Sequence, residues 1–186
     1  MPTPTGDAFI TAGNDAQICI YSIHTLQKIM TCEPSAAKNI VDGHNSSVYA
    51  LKHHPNDIWN FISAGWDDTV HFWDRRESRS MRKIFGPHIC GQAIDIDPIE
   101  NTVLTASWRR QNGLQLWDYR ETKLIKTYEE EQNDYSLYYG AQFLGTSHFM
   151  TGGSNHNVFK IMDKRLCSDL GRVRNLNRGV FCLDHR

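Results

Sequence analysis

Serine, histidine and aspartate are the residue types of nucleophilic catalysis, and His44, Ser63 and Asp67 lie close together in this chain. A triad requires the hydroxyl to meet the imidazole and the imidazole to meet the carboxylate. A second set, His53-His54 with Asp57, has the composition of a metal site. That pair ends an alternating stretch just before Pro55, where adjacent side chains point to opposite faces and cannot share an ion. Five cysteines (Cys19, Cys32, Cys90, Cys167, Cys182) stand singly with no CxxC spacing, so neither a disulfide framework nor a zinc knuckle is expected. Glu129-Glu130-Glu131 reads as a solvated acidic loop. The chain shows no phosphate loop, nucleophile elbow or dinucleotide fingerprint. No cofactor and no metal are expected.

Composition narrows the class. Of 186 residues 40% are hydrophobic and 11% aromatic, enough for a packed core and too many for intrinsic disorder. No apolar run approaches the ~18 residues of a membrane span. Lys+Arg 20 against Asp+Glu 21 gives a formal charge of -1, which supplies no general field for nucleic acid or anionic lipid. The opening MPTPTGDAF has neither a basic start nor an apolar stretch. With unpaired cysteines, it points to a cytoplasmic or nuclear location.

The elements that must hold these residues come from a repeat. FITAGNDAQICIYS starts at Phe9, FISAGWDDTVHFWD at Phe61, VLTASWRRQNGLQLWD at Val103 and FMTGGSNHNVFKIMD at Phe149, so the starts are 52, 42 and 46 residues apart. Each unit is an apolar–small run, a polar turn and an alternating stretch, the pattern of a β-hairpin. A short strand precedes each of the later hairpins: SSVYALKHHPND, GQAIDIDPIEN and the Tyr-rich stretch 134–143. QKIMTC, SMRKIFG, KLIKTY and LGRVRNL follow as fourth strands. Four short strands in roughly 40–50 residues are the size of one propeller blade. No sustained helical period appears, so the fold class is all-β.

At this level the chain resembles the WD-repeat β-propellers over nearly its whole length. The second unit carries the pattern best, with Gly43-His44, Val48 to Pro55, Ser63 to Asp68 and Trp73-Asp74. The resemblance implies a hydrogen-bonded tetrad of His44, Ser63, Asp67 and Trp73 that ties one blade together, a structural role that accounts for all three triad-type residues. Partial tetrads are implied elsewhere: Thr11 and Asp15 with Tyr21 for Trp, then His88, Thr105 and Trp117 with Arg109 near the turn Asp position, then Thr151 with Met162 for Trp.

The expected architecture is therefore about four four-stranded antiparallel blades (8–33, 44–86, 88–128 and 135–176) in one segment, with 178–186 starting a further blade. WD-repeat propellers usually close with about seven or eight blades, so the expectation is an incomplete or open propeller. Three closures are compatible with the sequence. The chain is a fragment or isoform of a longer propeller; or two copies join edge to edge; or Val180–Leu183 pairs with Phe9–Ala12. Open blade edges invite self-association.

The resemblance also implies a job, which is to bind protein or peptide partners on the loop face without catalysis. The residues before the turn Asp project there: Asn14, Trp66, and by alignment Trp108 and Ser154, with Arg109 and Arg110 making the third blade's turn cationic. Exposed aromatics are enriched in binding hot spots; the competing expectation is that each Trp folds back as a cap over its own blade. Arg76 and Arg120, in WDRR and WDYR, with a degenerate copy at Arg165, are similar to the WDxR element by which propeller substrate receptors meet the adaptor of cullin-RING ubiquitin ligases. An enzyme or small-ligand binder using the central channel is the remaining alternative.

Overall fold

The computed structural model describes residues 1–36, 40–130 and 135–184; Glu131, Asp134, His185 and Arg186 from the readings above lie outside the described residues. Every regular element among the described residues is a strand, and all pairing is antiparallel, arranged as four separate sheets. The alternation of apolar and polar residues produces this directly, because period 2 places one side of each strand inward.

The chain divides into two compact units, Met1–Gly86 and Pro87–Arg186. In the first, sheet 1 has β1 (Ala8–Ala12), β2 (Ile18–Ser22) and β3 (Lys28–Cys32), and sheet 2 has β4 (Val48–His53), β5 (Asn60–Gly65), β6 (Thr69–Asp74) and β7 (Arg82–Phe85), each in sequential order. Ala8, Ile10, Ile18, Ile20 and Cys32 of sheet 1 pack with Phe61 and Trp73 of sheet 2 in one buried cluster. In the second unit, sheet 3 has β8 (Ile94–Asp97), β9 (Thr102–Ala106), β10 (Leu114–Asp118) and β11 (Leu124–Tyr128). Sheet 4 has β12 (Leu137–Leu144), β13 (His148–Ser154), β14 (Phe159–Asp163) and β15 (Asp169–Val173). Here Asp95 of β8 accepts the Phe143 N–H of β12 at 2.8 Å, while the Tyr128 hydroxyl donates to the Lys164 carbonyl at 2.9 Å.

Sheet 1 has three strands, in keeping with a first repeat in which no strand precedes the hairpin; Met1–Thr3 makes a short bridge to β1, Pro2 opposite Phe9. One feature departs from the expected pattern. Val180–Asp184 forms no strand, although the Val180 N–H bonds the Gly153 carbonyl at 3.1 Å. A strand needs a neighbour on its edge to complete its hydrogen bonds, and none of the described strands pairs with this segment.

Bulges at matching places shape the loop ends of sheets 2 and 4. The register shifts between Val48 and Ala50, and again between Tyr138 and Gly140, leaving Tyr49 and Tyr139 as the extra residues. An extra residue redirects its side chain. At the same end β4 runs so near β5 that a Cβ on Gly65 would stand 2.0 Å from the Ser47 carbonyl, so glycine is required there.

Candidate functional site

The structure brings His44, Ser63, Asp67 and Trp73 into one chain of hydrogen bonds. His44 Nδ1 lies 2.7 Å from Asp67 Oδ2, His44 Nε2 lies 2.6 Å from Ser63 Oγ, and Trp73 Nε1 donates to Ser63 Oγ at 2.7 Å. A carboxylate only accepts, so the Nδ1 proton faces Asp67; Nε2 then accepts from the Ser63 hydroxyl, whose lone pair takes the indole N–H. Asp67 also receives the Thr69 hydroxyl at 2.7 Å and the Asn45 N–H at 3.1 Å. Burial works against its charge, but His44, Thr69 and Asn45 prevail and hold it down at about 2.

This is the connectivity of a catalytic triad in a place where no substrate reaches. Ser63 is 0% exposed and its hydroxyl is enclosed between imidazole and indole. The network ties the loop before β4 to β5, the β5–β6 turn and β6, which is a structural task. His71 stands beside it, its ring centroid 4.5 Å from that of His44. His44, Asp67 and His71 offer ligand atoms within 4.8 Å of one another, the geometry of a candidate metal group. Both nitrogens of His44 are already engaged, so an ion would have to dismantle the tetrad to bind.

The other sheets carry reduced versions. In sheet 3 the Trp117 indole donates to Thr105 Oγ1 at 3.0 Å, and the His88 backbone N–H reaches Ser107 Oγ at 3.2 Å. In sheet 1 Thr11 is exposed, its hydroxyl 3.5 Å from the Cys19 carbonyl, while Asp15 accepts the Gln17 N–H at 3.2 Å. Thr151 in sheet 4 is fully buried, and its hydroxyl has no hydrogen-bond partner; with Met162 across from Phe149 there is no indole to meet it.

Sheet 4 instead contains a network that the sequence reading missed. Lys160, opposite Thr151 on β14, is buried and pairs with Glu130. Glu130 also takes the Tyr138 hydroxyl at 2.5 Å and the Ser136 N–H at 3.2 Å. Glu130 is therefore not simply solvated; its half-buried carboxylate is the counter-charge of Lys160. Burial, reinforced by Glu130, drives the Tyr138 phenol well above its ordinary value.

Buried histidines with unbonded ring nitrogens give the first unit an acid sensitivity; His71 Nδ1 meets Ser80 Oγ at 2.8 Å. Neither ring nitrogen of His53 is bonded, nor is His71 Nε2. Burial pushes His71 down to about 3 and His53 down to about 4. An unfolded histidine titrates near 6.5, so below that pH the unfolded chain binds protons the folded chain refuses. Stability is complete above about 6.5 and falls toward the folded values by at most about 1.4 kcal/mol per pH unit for each histidine. Urea titrations across this window should show that decline, and His53→Leu should make it shallower while leaving stability at neutral pH unchanged or higher. A pH profile identical to that of the unaltered chain would refute the assignment.

The turn ends present the expected aromatic residues, each with a neighbour. Trp66 is 49% exposed and lies against Tyr49, ring centroids 5.6 Å apart; its backbone N–H is held by the Ser47 carbonyl at 3.0 Å. Asn14 accepts the Ser47 hydroxyl. In the second unit Trp108 is 39% exposed, and its indole N–H donates to the Tyr139 hydroxyl at 3.0 Å. Phe181 packs on Tyr139, centroids 4.8 Å apart. Arg109 follows Trp108, half-buried, and Arg110 lies 5.5 Å over the Tyr135 ring. Tyr49, Tyr139 and Phe181 have no sequence signal of their own, because it is the bulges and the packing between sheets that bring them here.

The WDxR arginines differ in setting. Arg76 grips Asp74 with two donors, Nε to Oδ1 at 2.9 Å and Nη2 to Oδ2 at 2.5 Å, and lies 4.8 Å over Trp59. Arg120 and Arg165 are exposed, their backbone N–H groups received by Asp118 and Asp163, each at 2.8 Å.

Compared with known families, residues 36–74 match the model of the WD domain, G-beta repeat. That span holds His44, Ser63, Asp67 and Trp73. The match covers this one repeat, and the all-β architecture of antiparallel sheets is consistent with an open WD-type propeller. No curated protein matches the chain.

Proposed function

Because residues 36–74 are a WD repeat accompanied by three further sheets of the same kind, we propose that the chain is a non-catalytic scaffold that binds protein or peptide partners at the turn ends of its blades. A WD repeat supports an interaction role of this kind. The observation that carries the reading is the pair of half-exposed tryptophans, Trp66 and Trp108, each standing just past the end of a second strand and each steadied by a tyrosine. A large ring fixed in place but left in water loses little conformational freedom when a partner covers it.

The second unit indicates the partner's chemistry. Trp108, Tyr139 and Phe181 form an apolar platform, and the neighbouring Arg110 is exposed. An extended peptide with an apolar anchor beside Asp or Glu fits it. Panning a random peptide display library on the full chain tests this. Enrichment of acidic, aromatic- or Leu-anchored sequences is expected. Trp108→Ala should weaken their binding roughly 30-fold, as loss of a hot-spot residue does, with an unchanged unfolding midpoint. Equal binding by the Trp66→Ala/Trp108→Ala double variant would overturn the reading.

A further inference from the structure

The turn end of the first unit is built from two matching turns. Gly13-Asn14-Asp15-Ala16 and Gly65-Trp66-Asp67-Asp68 each end on a left-handed residue, Ala16 at φ 62° and Asp68 at φ 60°. The loop before β4 joins them. The Asn14 carboxamide accepts the Ser47 hydroxyl, the Gly13 carbonyl takes the Val48 N–H at 2.9 Å, and the Ser47 carbonyl takes the Trp66 N–H at 3.0 Å. The bulge at Tyr49 then brings a second ring against Trp66. Trp66 is 49% exposed and Tyr49 43%, with ring centroids 5.6 Å apart and planes inclined by 33°.

The charge around these rings is one-sided. The segments that meet here, 13–17, 42–49 and 65–68, contain Asp15, Asp42, Asp67 and Asp68 and no Lys or Arg. Asp42 has Arg79 at 3.8 Å. Asp67 is ionised throughout the neutral range, and its donors are an imidazole N–H, a hydroxyl and a backbone N–H. With His44 Nε2 accepting from Ser63, none of these brings a positive charge. Asp15 is exposed and accepts the Gln17 N–H. Lys83 is turned to the Val41 carbonyl at 2.6 Å, while Arg75 and Arg76 pair with Asp7 and Asp74 at the opposite end of β6.

We propose that this turn end holds a basic side chain of a protein or peptide partner, its cation lying on the outer face of Trp66 and drawn there by Asp15, Asp67 and Asp68. The inference rests on the turn-end reading above and gives the first unit a ligand chemistry of its own. A cation over an indole face is attracted by the negative face of the ring. It does not fit between the two rings, because a flat group touching both needs about 7 Å between them. Tyr49 therefore braces Trp66 from one side and leaves the other side for the ligand. Arginine suits this better than lysine, since a guanidinium stacks flat on a ring and also grips a carboxylate with two donors. In the second unit, Arg109 and Arg110 on the corresponding turn favour the opposite sign.

Panning the peptide display library on the full chain carrying Trp108→Ala tests this, because that variant lacks the second unit's tryptophan. Sequences containing Arg, with Lys next, should be enriched. Their binding, read by fluorescence anisotropy, should weaken about tenfold on Trp66→Ala, and nearly as much on Trp66→Leu, which keeps an apolar side chain without a π face. Asp15→Asn/Asp68→Asn preserves side-chain shape, and Asn accepts the left-handed backbone at 68. That variant should bind several-fold more weakly, with a flatter salt dependence and an unchanged unfolding midpoint. On the Trp108→Ala chain, enrichment of acidic or uncharged sequences, or no enrichment, would overturn the inference, and so would basic sequences indifferent to Trp66→Ala. The turn-end reading has a separate criterion, and falls only if the Trp66→Ala/Trp108→Ala chain binds its selected peptides as well as the unaltered chain does.

Discussion

Trp73→Ala is expected to lower the stability of the first unit by about 3–5 kcal/mol, the usual cost of emptying a buried tryptophan site. Trp73 is 1% exposed, lies parallel to Phe61 at 6.1 Å, and packs in the cluster shared by Ile10, Ile18 and Ile20 of sheet 1. Domain stabilities are themselves only about 5–15 kcal/mol, so sheets 1 and 2 should lose structure together. Trp73→Phe separates packing from hydrogen bonding. It keeps most of the ring, and the Ser63 hydroxyl still reaches His44, so about 1 kcal/mol should be lost. Urea unfolding of both variants, followed by circular dichroism, gives the comparison. Equal losses would mean that the indole N–H, not its volume, holds the blade.

Lys164→Met should be comparably damaging in the second unit. Lys164 bonds Asp97 at 2.6 Å, both side chains 3% exposed, and Glu100 at 2.7 Å, with its ammonium 4.9 Å over the Phe143 ring. Removing one member of a buried pair strands the other charge, at about 3–5 kcal/mol. Asp97→Leu/Lys164→Met removes both charges and should recover most of that loss. A single substitution costing under about 1 kcal/mol would show the pair to be hydrated. The first unit has a counterpart in Arg75, which likewise follows the third-strand Asp and reaches Asp7 at 2.8 Å. The Asp7 side chain is half exposed, so that pair should contribute well under about 1 kcal/mol.

These contrasts show what a sequence carries and what it does not. Strand positions were legible because period-2 alternation and small polar turns are local properties, and the four hairpins start where Phe9, Phe61, Val103 and Phe149 stand. The four residues around Ser63 carry their own types in order, so a reader of the second unit can connect them. Sheet 4 offers no such cue. Lys160 looks like a surface charge and Glu130 like part of an acidic loop; only folding brings them together with Tyr138 in a buried network. The bulges at Tyr49 and Tyr139 were equally silent, because one extra residue changes which side a ring faces without altering the apolar pattern around it. Trp108 finds its hydroxyl partner on the following sheet, thirty-one positions along the chain, a relation set by packing between sheets.

Recognition at the turn ends, with the strands serving as their support, is the central claim, and amide hydrogen exchange with and without an enriched peptide tests it most directly. Protection is expected at 107–113 and 138–140, or at 47–49 and 65–68, with the strands beneath them unchanged. Protection confined to the outer strands β3, β7, β11 and β15, with the turns exchanging as freely as before, would contradict it.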